Sequence, residues 1–264
     1  MRKIRIDVEY DGTAYAGWQR QENALAVQEV LEKALSRLTR EDIHITGASR
    51  TDAGVHAMGQ VAAFDTESRI PGEKFSFAVN TMLPGDIRVC ASRETDSSFH
   101  PRFMAAGKIY RYRMYDGPHA MAMYRHRAAH CIYPLNELAM AEALQAAVGT
   151  HDFAPFAASG SVVKDTVRTI YRAEVKRQGR FVDLYVYGNG FLYNMVRILA
   201  GTLMDVGSGR QEKDCIRKAL SSLSRLDLGV TAPACGLTLM RVLYDEDAGQ
   251  ADELFDMCLA GVIA

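Results

Sequence analysis

Residues 47–60 read Gly47-Ala48-Ser49-Arg50-Thr51-Asp52-Ala53-Gly54-Val55-His56-Ala57-Met58-Gly59-Gln60. Three glycines permit positive φ and close backbone approach, so the stretch reads as a tight loop between two extended segments. Arg, Asp, His and Gln side chains crowd into a loop too small to bury much. Turn chemistry is one explanation, because Asp and Thr side chains bond neighbouring backbone N–H groups. A functional loop is the other.

The flanks define the fold. Upstream, Ile4, Ile6, Val8 and Tyr10 alternate with Lys3, Arg5, Asp7 and Glu9, a half-buried strand over 3–10. Val27, Val30, Leu31, Ala34, Leu35 and Leu38 then recur at helical spacing, which predicts a helix over 24–38 with Asn23 as its N-cap. A short strand over 43–46 enters the loop and Gln60–Asp65 leaves it extended. A helix over about 72–80 and a strand over 86–93 follow. That order, strand–helix–strand–strand–helix–strand, is a split βαβ or ferredoxin-like half. Strands at 107–115 and 125–133, a helix at 135–148, strands at 166–177 and 181–187, helices at 190–206 and 211–223 and a strand at 238–244 repeat the theme. The expected class is α+β. Two ferredoxin-like halves form one extended, mainly antiparallel sheet with helices on one side and a central catalytic cleft. The expected divisions are 1–104, 105–244 and an acidic C-terminal tail over 245–264.

Composition excludes several alternatives. The 264 residues are 48% hydrophobic and 24% charged, an ordinary globular balance. No apolar run approaches a bilayer-spanning length, and Asp7 and Glu9 interrupt any signal-peptide core, so a cytoplasmic location is expected. Five widely spaced cysteines show no C-x-x-C pair, which argues for reduced thiols and against structural zinc. Nucleotide-binding glycine loops, a G-x-S-x-G elbow and an H-E-x-x-H helix are all missing, and nothing nominates the second carboxylate of a glycosidase. The net charge of −1 conceals an uneven distribution. Seven Arg/Lys lie within 93–130, and six acids without a Lys or Arg lie within 245–264. A polyanionic partner is therefore compatible with the near-neutral total.

Two further features carry chemistry. Between Leu184 and Met204 the only charged side chain is Arg197, in a segment apolar on almost every face. A buried guanidinium needs a carboxylate, so an acidic partner from elsewhere in the chain is expected, unless the side chain snorkels to solvent. In the strand Lys108-Ile-Tyr-Arg-Tyr-Arg-Met114, Tyr110 and Tyr112 share a face with Lys108 while Arg111 and Arg113 share the other. Such a strand serves equally as a two-faced structural element or as a stacking and phosphate-binding surface for splayed bases. His56 is a conceivable base, though a loop histidine more often supports structure.

Taken together, these residues resemble the tRNA pseudouridine synthase A (TruA) family. The motifs are Glu9-Tyr-Asp-Gly-Thr-x-Tyr-x-Gly-Trp-Gln-Arg-Gln21, Arg50-Thr-Asp-Ala-Gly-Val-His-Ala57, Phe99-His-x-Arg102, Tyr110-Arg-Tyr112, Gly190-Phe-Leu-Tyr-Asn-Met-Val-Arg197, and Thr231-Ala-Pro233 with Gly236-Leu237. They run in family order from residue 9 to about 244. Ser49 stands where glycine is common before Arg50, and Asn194 where some members carry histidine.

The resemblance implies isomerisation of uridine to pseudouridine at positions 38, 39 and 40 of the tRNA anticodon arm, with no cofactor and no metal. Asp52 matches the family's nucleophile, Tyr110 the tyrosine that contacts the target uracil, and Arg197 the basic residue that pairs with the aspartate and keeps it ionised. Arg50 matches an arginine assisting nucleotide entry. Arg102, Lys108, Arg111 and Arg113 are candidate RNA contacts. Family members are typically homodimers with tRNA bound across both subunits. A carboxylate can drive the reaction by attacking or stabilising the electron-poor ribose carbon, or by adding to the uracil ring, and the residues leave these routes open. The rival readings are a synthase for another RNA site, a non-catalytic RNA-binding or chaperone protein on the same scaffold, and a nucleosidase releasing free base.

Overall fold

The computed structural model describes residues 1–158 and 164–262. In chain order the strands and α-helices are β1 (Arg2–Tyr10), α1 (Val27–Thr39), β2 (Thr46–Gly47), β3 (His56–Thr66), α2 (Phe75–Asn80), β4 (Ile87–Thr95), β5 (Gly107–Asp116), β6 (Ala129–Cys131), α3 (Glu137–Leu144), β7 (Gly149–Asp152), β8 (Val167–Gln178), β9 (Phe181–Gly188), α4 (Met195–Gly207), α5 (Cys215–Ser222), β10 (Leu237–Leu243) and α6 (Ala251–Ala260). They form two compact units, one of residues 1–106 with 239–251, the other of 107–238 with 252–262. Both are α+β.

In the first unit β1 lies between β3 and β4, antiparallel to each, and β2 lies beyond β3. The path runs β4-β1-β3-β10, with β2 pairing with β3 off it, and the first strand sits between the third and the fourth as in a split βαβ. The alternation read from residues 3–10 explains it, since Ile4, Ile6 and Val8 are fully buried. Phe64 and Phe75 meet edge to face at 5.4 Å in the same core, and each such buried side chain stabilises by about 1.5–3 kcal/mol. The opposite face of β1 carries Arg5. Its guanidinium lies 4.7 Å from the Tyr244 ring and pairs with Glu246 at 2.9 Å, which also holds Arg93 at 2.6 Å.

The second unit follows the order β5-β9-β8-β7, every pair antiparallel, with β6 alone running parallel to β5. Tyr112, Met114, Leu184, Val186, Leu199 and Leu203 are fully buried there. The acidic end of the chain is structured. A 3-10 segment over Asp245–Gln250 leads into α6, which buries Leu254, Phe255 and Cys258. Arg172 sits 4.6 Å above the Phe255 ring and pairs with Asp256 at 2.8 Å, while Lys176 donates to the Leu259 carbonyl at 3.0 Å near the helix C-terminus. Residues 263 and 264 of the expected tail lie outside the described residues.

Several boundaries differ from expectation for identifiable reasons. Helix α1 starts at Val27, and Asn23 does not cap it. The carbonyls of Gly17 and Trp18 accept from the Val27 and Gln28 N–H groups instead, at 3.2 and 3.0 Å. Helix α4 starts at Met195, five residues late, because Asn194 takes a left-handed φ of 60°. Of the strand expected over 125–133, only Ala129–Cys131 pairs, and residues 122–124 form a 3-10 turn. The helix expected over 135–148 ends its α-turns at Leu144 and tightens to 3-10 geometry over 145–147, and that over 211–223 is regular only within Cys215–Ser222.

Candidate functional site

The loop bearing Asp52 begins where β2 leaves β3. The ladder pairs Thr46 with Ala63 and Gly47 with Ala62, and the Ala48 N–H reaches the Val61 carbonyl at 2.8 Å. One residue on, the partner is a side chain. Gln60 accepts from the Ser49 N–H at 3.1 Å and donates to the Ser49 carbonyl at 2.7 Å. Arg50 then emerges exposed, Thr51 turns inward, and the Thr51 hydroxyl meets the Tyr10 hydroxyl at 2.7 Å. Asp52 is half-buried, and its carbonyl accepts from the Val55 N–H at 3.1 Å to close the turn, with Gly54 at φ 77°.

Residues 10–18 hold the other side of this loop. The Trp18 N–H donates to the Thr51 carbonyl at 3.0 Å, and the Gly54 N–H to the Tyr15 carbonyl at 3.2 Å. His56 Nδ1 accepts from the Gly12 N–H at 3.1 Å and lies 3.2 Å from Asp11. Gly17 permits this approach. It adopts φ 96°, and a Cβ there would lie 2.5 Å from the Thr51 carbonyl oxygen. Burial and the hydrogen bond to Asp86 push the Tyr15 hydroxyl up, so it stays a neutral donor, at 2.8 Å from that carboxylate. The motif around residues 9–21 is thus the cradle of the motif around residues 50–57.

In the second unit Tyr110 is buried on β5, its ring edge to face with Phe191 at 5.2 Å. Arg197 stands half-buried on the first turn of α4. Its Nε donates to the Ala232 carbonyl at 2.9 Å and its Nη1 to Asn194 Oδ1 at 2.7 Å, while the Ala232 N–H returns to the Arg197 carbonyl at 3.0 Å. The segment after residue 228 lies along α4 because Gly201 leaves room. A Cβ there would lie 1.8 Å from the Val230 oxygen. Tyr112, whose hydroxyl burial pushes up, donates to the Pro233 carbonyl at 2.8 Å and extends the same packing.

The remaining cations differ in availability. Arg102 is exposed on a turn whose Pro101 carbonyl accepts from the Tyr244 hydroxyl at 2.9 Å. Lys108 is half-buried. Arg111 bonds the Tyr185 hydroxyl, which burial pushes up despite that contact. Arg113 makes a bidentate pair with Asp183 at 2.8 and 2.6 Å, and Asp183 is only 3% exposed. That pairing is the first cause raising the already high guanidinium pKa. The carboxylate-matching edge of Arg113 therefore faces the protein.

Asp52 and Arg50 thus share a loop of the first unit, and Tyr110 and Arg197 belong to adjoining elements of the second. Tyr10, Trp18, Gln60, Phe191 and Ala232 support them; all lie in the stretches quoted from sequence, which gave none of them a role at the site. Gln60 carried a readable signal, an amide heading the apolar run Val61-Ala-Ala-Phe64.

Comparison with known proteins places the chain in a family. The family described as tRNA pseudouridine synthase matches residues 7–104 and 143–245. A tRNA pseudouridine synthase A of Ruminiclostridium cellulolyticum is 51% identical over 245 residues, covering 92% of this chain and 100% of that one. Its counterpart in Acetivibrio thermocellus is 48% identical over 244 residues, with the same coverage, and that in Bacillus pumilus 45% identical over 92% of this chain and 99% of its own. Among the described residues no helix is long and apolar enough to cross a membrane. The chain belongs to the tRNA pseudouridine synthase A family of isomerases.

Proposed function

We propose that the protein converts uridine to pseudouridine at positions 38, 39 and 40 in the anticodon arm of tRNA, with Asp52 as nucleophile. The observation that carries this reading is the Arg50–His56 loop, where a half-buried carboxylate is presented on a backbone tied from both sides. A nucleophile must be held in place before its substrate arrives, and hydrogen-bonded walls do that where a free turn would not. The carboxylate forms a covalent bond to ribose or ring, the C1′–N1 bond breaks, the uracil turns and C5 joins C1′; the bond to the carboxylate then breaks, C5 loses its proton and N1 gains one. Tyr110 contacts the turning base. Arg197 keeps the carboxylate ionised, and Arg50 assists entry of the nucleotide.

A target within or beside a stem must leave its stack at a cost of a few kcal/mol. Arg102, Lys108 and Arg111 offset this through phosphate contacts, and Arg113, bound to Asp183, contributes less. The enzyme works as a homodimer in the cytoplasm, without cofactor or metal. The test is a pseudouridine map of tRNA from cells lacking this activity, treated with the purified protein. New pseudouridine at 38, 39 or 40 supports the reading. Modification elsewhere only, or release of free uracil, overturns it.

A further inference from the structure

We propose that Gln60 is a positioning residue for the Asp52 loop, assisted by the Tyr10–Thr51 hydroxyl pair. This inference rests on the reading of Asp52 as nucleophile. At Ser49 the backbone peels away from β3 in a site where both residues are buried, Gln60 being 0% and Ser49 6% exposed. Ser49 lies beyond the last β2–β3 backbone pair, Gly47 with Ala62, and there a side chain of β3 takes the place of its backbone. A neutral carboxamide supplies one acceptor and one donor, and Gln60 uses both on the same residue, at 3.1 and 2.7 Å. Two bonds to one residue, one on each of its flanking peptides, fix direction as well as distance, three residues before Asp52. The hydroxyl contact at 2.7 Å adds a second pin at the residue immediately before it.

A purely structural role would place the burden on β3, yet β3 is held by β1 along most of its length, Thr66 to Ala57, and by β2. Removing the Gln60 amide leaves those ladders intact. The consequence falls on the loop.

The test uses the full chain with a tRNA transcript, measuring kcat, KM, tRNA binding and thermal unfolding for Gln60→Met, Tyr10→Phe and Asp52→Asn. Gln60→Met keeps length and loses both bonds; Tyr10→Phe loses one hydroxyl. The expected result is a kcat reduced by about tenfold or more in Gln60→Met and roughly threefold in Tyr10→Phe, with KM within about twofold of wild type. A folded Gln60→Met with unchanged kcat, or with a loss confined to KM, overturns the proposal. Should Gln60→Met fail to fold, Tyr10→Phe decides alone, and an unchanged kcat overturns it. Asp52→Asn separates the two readings. Activity in that variant sinks the nucleophile assignment and this inference together, whereas its inactivity beside normal Gln60 and Tyr10 variants sinks this inference alone.

Discussion

Replacing Gly17 by alanine is expected to damage catalysis more than stability. The residue sits at φ 96°, where a Cβ costs about 1–2 kcal/mol. The added methyl would lie 2.5 Å from the Thr51 carbonyl oxygen, 3.1 Å from the Asp52 carbonyl carbon and 3.2 Å from the Ala53 nitrogen. Restoring ordinary contact at 3.4 Å moves that backbone by about 0.9 Å. The neighbour is peptide rather than a flexible side chain, and the Trp18–Thr51 hydrogen bond at 3.0 Å must stretch with it. A displacement near 1 Å at a reacting group costs up to about a hundredfold in rate. Gly179→Ala is the matched control, since it has φ 60° and nothing within 4 Å of its Cβ. Both variants should unfold at lower denaturant concentration, Gly17→Ala by more because its methyl also displaces backbone. In steady-state assays of pseudouridine formation only Gly17→Ala should lose kcat, by about one to two orders of magnitude, with KM little changed. Wild-type kcat in a folded Gly17→Ala protein, or equal losses in the two variants, would refute the reasoning.

Two further perturbations test the packing. Arg113→Met leaves the Asp183 carboxylate buried without its bidentate partner, and unfolding by urea should report a loss of about 3–5 kcal/mol; a loss below about 1 kcal/mol would mean that water or another donor replaces the arginine. Arg177 bonds Asp116 at 3.0 Å and Glu137 at 2.9 Å. Burial alone would raise the Asp116 pKa, but the Leu135 N–H and Arg177 together lower it, and Glu137 is lowered by its own backbone N–H and by Arg177. Folded pKa values below the unfolded ones mean stability that is present above the unfolded values, near pH 4, and lost as pH falls through the folded ones. The stability gap between wild type and Arg177→Met should therefore be full at neutral pH and shrink below about pH 4, leaving a residue from the bond to the Leu135 carbonyl. A pH-independent gap would contradict the assignment.

What could be read from sequence was what local pattern encodes. Residues 3–10 reveal their strand because Ile4, Ile6 and Val8 alternate with charges, and the Arg50–His56 motif stands out for its polar residues among glycines. What escaped is non-local. The N-cap of α1 is supplied by carbonyls of residues 17 and 18, so Asn23 had no part to play. The acidic end resembles a solvated tail until Arg172 pairs with Asp256, Lys176 bonds the Leu259 carbonyl and Phe255 finds Tyr185. Asn194 delays α4 through a backbone conformation that helical spacing does not encode. At the candidate site, Asp52 could be nominated from its motif, but the clamps from Gln60, Tyr10 and Trp18 depend on which strands become neighbours.

Asp52, on the Arg50–His56 loop, is the proposed nucleophile. The most direct measurement is pseudouridine formation in tRNA by wild-type and Asp52→Ala proteins at equal tRNA occupancy, with binding measured in parallel. Formation should fall to background in Asp52→Ala while tRNA binding stays within about threefold of wild type, because the carboxylate contributes to the reaction rather than to phosphate contacts. Substantial pseudouridine formed by a folded, tRNA-bound Asp52→Ala protein would contradict the account.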